Sequence, residues 1–233
     1  MREMFATIAA RYDLLNHLLS GNVDKRWRRL VSKSLYASLP RGEVRILDIA
    51  CGTGDLSITL FESGKASQMG EARVVGIDFC RPMLDIAKSK AAGFGLRIPF
   101  VEGDALDLPF LDDAFEAVTI AFGLRNLASI EGAFTEFLRV LKPGGTVAVL
   151  EFSKPRATVV RLLFGIYFTS VLPLFGGWIS GSKSAYRYLP DSVSRFPDQK
   201  ELSDLMTQAG FEEVSFQNLT GGIAALHLGK RPN

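Results

Sequence analysis

The 233 residues, 47% apolar and 22% charged, suit one α/β domain with its own core and are too few to favour two. A formal net charge of +2 argues against nucleic acid as a partner, and the one basic cluster, Lys25-Arg26-Trp27-Arg28-Arg29, reads as a solvated helix face. Cys51 and Cys80 have neither zinc nor disulfide spacing, so no metal site is expected and a reducing, cytoplasmic setting fits.

The start, Met1-Arg2-Glu3-Met4-Phe5, lacks the apolar stretch of a signal peptide. Helical periodicity then runs through Leu14, Leu15, Leu18 and Leu19, and again through Trp27, Leu30, Val31 and Leu35, with Ser20-Gly21-Asn22 dividing two helices. Residues 45–50 are a short apolar run ending at a glycine turn, as in a buried parallel strand. A helix over 55–63, a strand over 73–78 and a helix over 82–92 opening on Pro82 follow. Strands are expected at 98–103 and 115–122, then a helix over 130–141 stopped by Pro143-Gly144-Gly145, then a strand over 146–152. Near the end, a helix over 198–209 has Gly210 just past it, and strands 213–218 and 223–229 flank Leu219-Thr220-Gly221-Gly222 as an antiparallel hairpin. Strands alternating with helices predict a doubly wound, mostly parallel, seven-stranded α/β sheet with one antiparallel strand near the C-terminus.

Residues 159–179 are rich in Leu, Ile, Val, Phe and Trp but contain Arg161, Pro173 and Gly176-Gly177. These argue against an unbroken membrane-spanning helix. A buried or lid helix is the preferred reading, and a surface that touches lipid or a lipid-like substrate is the other. The chain is therefore expected to be a single domain over 1–233, with a helical lid over 1–40 and a helical substrate-covering insertion at about 155–190.

In a doubly wound sheet, ligands bind beyond the carboxyl ends of the strands, where strand order reverses. The loop Ala50-Cys51-Gly52-Thr53-Gly54 leaves the first strand, and Gly52 and Gly54 let the backbone turn and approach a ligand. The third glycine of a dinucleotide fingerprint is replaced by Ser57, and no Gly-Lys-Ser/Thr follows, which lowers the odds of a nicotinamide enzyme or a nucleotide triphosphatase. Asp48 and Asp55 flank the loop and would repel a pyrophosphate while favouring a cation such as the sulfonium and ammonium of S-adenosylmethionine. Asp78 at the end of the second strand can accept from both ribose hydroxyls, with Phe79 covering an adenine face. Asp104 can accept from the adenine amine, with the Ala105 backbone nitrogen as donor. Cofactor contacts are thus expected at Gly52, Gly54, Asp78, Phe79, Asp104 and Ala105.

The chain resembles the ubiquinone/menaquinone biosynthesis C-methyltransferases, a family of class I S-adenosylmethionine-dependent enzymes. The resemblance rests on residues 5–13, Trp27-Arg28, Phe122-Gly123-Leu124-Arg125-Asn126, residues 139–145 with Glu151-Phe152-Ser153, Tyr188-Leu189-Pro190-Asp191-Ser192 and residues 219–224. Of these, Phe-Gly-x-Arg-Asn and Leu-Thr-Gly-Gly-Ile are the specific ones. The chain departs at Asp24, where many relatives carry His, at Ala121, where many carry Ser, and at Cys51, where relatives often carry Gly. The resemblance implies methylation of the ring of a polyprenylated quinol, and cofactor contacts at Thr53, Asp78, Asp104, Ala105 and the position of Ala121. Menaquinone biosynthesis is the preferred assignment, on the ground that no mitochondrial-style leader is seen, and a ubiquinone-type benzoquinol is the alternative. A nicotinamide oxidoreductase and a non-catalytic cofactor-binding protein are the more distant readings.

A quinol ring carbon becomes a good nucleophile only when a ring hydroxyl loses its proton. Arg125 and Asn126 are the expected catalytic residues, stabilising the oxyanion or holding a water, with a structural ion pair as the competing role for Arg125. Tyr12, Asp13, His17 and His227 are candidate bases, and the residues do not choose among them; His227 reads as structural. Phe164, Tyr167, Phe168 and Phe175 are expected to line an apolar groove for the tail. A peripheral contact with the inner face of the membrane and a homodimer are further candidate associations.

Overall fold

The computed structural model describes residues 22–66, 72–155 and 190–233, together with residues 162 and 165. The expected first helix, the candidates Tyr12, Asp13 and His17, and nearly all of the expected insertion, including its four aromatic groove residues, lie outside the described residues.

Helix α1 (Val23–Ser38) turns Trp27, Val31, Leu35 and Tyr36 inward at helical spacing. The basic cluster is split by the same geometry: Lys25, Arg26 and Arg29 are exposed, but Trp27 and Arg28 are buried, which corrects the reading of a uniformly solvated face. Strand β1 (Val44–Ile49) leads into α2 (Asp55–Ala66), then β2 (Ala72–Asp78), α3 (Arg81–Gly93), β3 (Phe100–Glu102) and β4 (Phe115–Ala121). A 3-10 turn (Leu124–Asn126) and α4 (Ile130–Val140) come next. Helix α4 passes straight into β5 (Leu141–Phe152), so Pro143-Gly144-Gly145 lies within the strand rather than before it. The pairing of β4 with β5 shifts register between Phe115 and Ala117, which accommodates this irregular start.

Helix α5 (Gln199–Ala209) is closed at both ends as its sequence suggests. Asp198 and Glu201 form a reciprocal capping box, and Gly210 takes the left-handed conformation that ends the helix. The hairpin β6 (Glu212–Leu219) and β7 (Ala224–Lys230) completes the sheet in the order β3-β2-β1-β4-β5-β7-β6. Only β7 runs against the rest, pairing antiparallel with both β5 and β6. Polarity explains why β7 is the inner arm. Its Ala224, Ala225, Leu226 and His227 are buried, whereas β6 carries Glu212, Ser215, Gln217 and Asn218 on an exposed edge.

Each sheet face has its own apolar layer. Helices α1 to α3 supply Leu35, Leu60, Leu84 and Ala87 to one, and α4 and α5 supply Phe134, Phe137, Leu202 and Met206 to the other. Full burial of such side chains contributes roughly 1.5–3 kcal/mol each for the larger ones. No described helix is long and apolar enough to cross a membrane.

Candidate active site

Strand order reverses between β1 and β4, so the loops that leave these two strands diverge above the sheet. They touch at one point: a Cβ on Gly123 would come within 2.5 Å of the Ala50 Cβ, so only glycine lets the loops meet. The cleft beside this contact is walled by Gly52 from the β1 loop, by Asp78, Phe79 and Met83 after β2, and by Ala121, Phe122 and Asn126 after β4.

Gly52 has φ 54°, and a Cβ built on it would meet no atom within 4 Å. The space that a side chain would fill is the cleft itself. Asp78 organises the neighbouring turn: one oxygen accepts from the Gly52 N–H at 2.9 Å and the other from the Cys80 N–H at 2.8 Å. Burial raises its pKa, and these backbone donors offset that rise only in part. An acid held over an open glycine turn, in a cleft whose named walls carry no cationic side chain, fits the hydroxyls and positive charges of S-adenosylmethionine.

The other expected cofactor residues lie around this cleft rather than on its walls. Thr53 is buried and receives the Lys90 Nζ on its hydroxyl at 3.3 Å. Gly54, at φ 83°, packs where a Cβ would press on Ala87 at 3.0 Å and Phe100 at 3.1 Å. Asp104 is exposed beyond β3 and accepts from the Leu106 N–H at 2.9 Å, and Ala105 beside it is buried.

The two acids expected to draw a cation to the loop are already satisfied within the protein. Asp48 is 1% exposed and accepts hydroxyl donations from Ser57 at 2.5 Å and Thr119 at 3.0 Å. Burial pushes its pKa up to about 7. Asp55 pairs with Lys90 at 2.7 Å and with Arg28 at 3.0 Å, and Arg28 also holds Asp24 at 2.6 Å. Neither acid presents an unpaired charge to the cleft, and the acid that lines it is Asp78. Ser57, met in the sequence only as a missing glycine, is the residue that seats Asp48. Its partner Thr119 lies 71 residues from Asp48 and had no sequence signal.

Arg125 and Asn126 both turn back on Phe122. The Phe122 carbonyl accepts from the Arg125 Nη1 at 2.6 Å and from the Asn126 Nδ2 at 3.4 Å. Arg125 also forms a buried ion pair with Glu151 on β5 at 2.6 Å, its side chain 7% exposed and that of Glu151 1%. Burial raises the Glu151 pKa and Arg125 opposes that rise. Asn126 lines the cleft, whereas Arg125 borders an adjoining cavity with Leu124, Leu127 and Arg195. The Arg125 Nε is buried with no hydrogen-bond partner among the described residues. Glu151 was legible in the sequence only as part of Glu151-Phe152-Ser153. His227 stands apart in β7, its Nε2 2.9 Å from the Gln199 carbonyl, and burial lowers its pKa.

The profile of the ubiE/COQ5 methyltransferase family matches residues 1–231. A demethylmenaquinone methyltransferase of Thermus thermophilus is 51% identical over 229 residues, covering 98% of this chain and 100% of the relative. A demethylmenaquinone methyltransferase of Deinococcus radiodurans is 46% identical, covering 99% and 92%. A ubiquinone/menaquinone biosynthesis C-methyltransferase UbiE of Geotalea daltonii is 43% identical, covering 99% and 96%. Among solved structures, the [4+2]-cyclase SpnF shares the fold at a TM-score of 0.71 and 19% identity, covering 99% of this chain and 94% of its own. A SAM-dependent methyltransferase of Thermotoga maritima does so at 0.65 and 21%, covering 99% and 100%. A match from residue 1 to 231, on a class I sheet whose switch-point cleft fits S-adenosylmethionine, leaves one conclusion: the chain belongs to the ubiE/COQ5 methyltransferase family and is an S-adenosylmethionine-dependent methyltransferase.

Proposed function

We propose that the protein methylates the ring carbon of demethylmenaquinol, giving menaquinol. The observation that carries this reading is the convergence of Arg125 and Asn126 on the Phe122 carbonyl at the edge of the cofactor cleft. When bound, the cofactor supplies an electrophilic methyl group on a sulfonium.

The chain's own residues do the rest. Gly52, Thr53 and Gly54 shape the turn beneath the cofactor, Asp78 receives its ribose, Phe79 and Ala105 flank its adenine, and Asp104 accepts from the adenine amine. Ala121, with no hydroxyl, offers packing only. Asn126 orients the quinol hydroxyl or a water beside it. Arg125 brings a planar guanidinium cation. It supports the negative charge that develops on the ring oxygen when the proton leaves. The walls of the cleft would exclude water and orient the ring carbon toward a bound methyl donor.

A benzoquinol of the ubiquinone pathway is a second reading, favoured by relatives whose name spans both pathways at 42–43% identity. Radiolabelled methyl transfer to demethylmenaquinol and to 2-methoxy-6-polyprenyl-1,4-benzoquinol, side by side, decides between them. Label in the naphthoquinol alone supports the first reading, and label in the benzoquinol alone removes it. A peripheral membrane contact near residues 159–179 and a homodimer belong to the same proposal. Liposome flotation tests the first and light scattering the second.

A further inference from the structure

Phe122 belongs to the specific Phe-Gly-x-Arg-Asn segment, yet the mechanism above uses only its carbonyl. Its backbone has φ 57°, the left-handed region. A bulky side chain there is an outlier that costs on the order of 1–3 kcal/mol and persists only where the surroundings enforce it. Glycine would sit there at far lower cost, so the ring must return something.

The surroundings that enforce it are on the page. The Phe122 N–H donates to the Leu150 carbonyl at 2.8 Å, and its carbonyl is held by Arg125 and Asn126. Its ring meets that of Phe152 at 4.8 Å and that of Trp27 at 5.9 Å between centroids. Trp27 is itself fixed by its Nε1–H donating to the Thr220 hydroxyl at 3.0 Å. The Arg125 guanidinium lies 5.3 Å from the Phe152 ring centre. Even so, Phe122 is only half-buried, and it borders the cleft between Ala121 and Asn126. A strained, braced aromatic residue thus stands beside the groups expected to act on an aromatic ring.

We propose that Phe122 is a substrate-binding residue, its braced ring forming the face on which the aromatic ring of the quinol stacks. The inference rests on the quinol reading of this site. Aromatic stacking adds a modest free energy beyond simple area burial, equivalent to roughly threefold to tenfold in affinity.

The test measures binding of a short-chain 1,4-naphthoquinol and of the matching benzoquinol by calorimetry, on protein saturated with S-adenosylhomocysteine. Phe122→Leu is expected to weaken both quinols roughly threefold to tenfold. Phe122→Tyr, which keeps the ring, is expected to restore most of the loss. Should the leucine variant not fold, Phe122→Met carries the same expectation. Unchanged naphthoquinol affinity in a ring-less variant overturns the inference, as does an equal loss of S-adenosylhomocysteine affinity, which would mark a general collapse of the cleft. A wild-type protein that binds no naphthoquinol overturns it too. Wild-type protein that binds the naphthoquinol but transfers no methyl group to it counts against the functional reading instead, and leaves the stacking role standing on the affinity ratios.

Discussion

The indole Nε1–H of Trp27 donates to the hydroxyl of Thr220, joining α1 to the link between β6 and β7 across 193 residues of sequence. Thr220 holds a left-handed backbone at φ 47°, and Gly221 and Gly222 also have positive φ. The chain segment Leu-Thr-Gly-Gly-Ile therefore serves as a seat for Trp27, which in turn backs Phe122 and Phe152. Thr220→Val removes the acceptor with little change of shape. A stability loss of about 1 kcal/mol is expected, read as a lower urea midpoint at unchanged slope. No shift in midpoint would mean that water replaces the threonine without cost.

Asp48 makes the fold sensitive to pH in a definite direction. Its carboxyl is raised from 3.8 to about 7 in the folded protein, mainly by burial. Below about pH 4 the group is protonated in both states, and its contribution to stability is fully present. As pH rises toward 7 the unfolded chain ionises first, so that stability is lost, and the loss levels off above about 7. Asp48→Asn cannot ionise. The stability of the wild type relative to this variant should fall by up to about 4 kcal/mol between pH 4 and pH 8. Urea midpoints that run parallel for the two proteins across that range would contradict the assignment.

Arg28 binds Asp24 and Asp55 together, and Asp55 also holds Lys90 at the edge of the cofactor loop. Arg28→Met removes a nearly buried cation shared by two carboxylates, at an expected cost of about 3 kcal/mol. Arg28→Lys should recover only part of this, because the ammonium is more strongly hydrated than a guanidinium and sits on a differently shaped stem, so it is less well placed at the point where Nη2 meets both carboxylates. Full recovery with lysine, in denaturant titrations, would show that charge alone suffices.

Arg125 and Glu151 couple folding to chemistry. Arg125→Ala alone strands a buried carboxylate and should cost about 3–5 kcal/mol, so lost turnover in that variant would not by itself identify a catalytic role. The double variant Arg125→Met/Glu151→Leu removes both charges and should fold with near wild-type stability. Methyl transfer should remain at least about a hundredfold down, as for loss of a group that stabilises a developing oxyanion. A stable double variant with normal turnover would confine Arg125 to a structural role.

Much of this protein follows from local rules. Apolar periodicity, Pro82 at the start of α3, Asp198 capping α5 and Gly210 ending it act within a few residues of themselves, so the order of strands and helices was readable along the chain. The position of the cleft followed as well, because a doubly wound sheet opens where its order reverses. The state of the site's charges was not readable. Whether Asp48 is an exposed anion or a buried, hydroxyl-bound acid depends on Thr119; whether Asp55 attracts a cation depends on Arg28 and Lys90; and what Arg125 can offer depends on Glu151. Those partners lie 26 to 71 residues away in the chain. Desolvation and ion pairing are set by what surrounds a group in space, and only the folded packing brings such neighbours together.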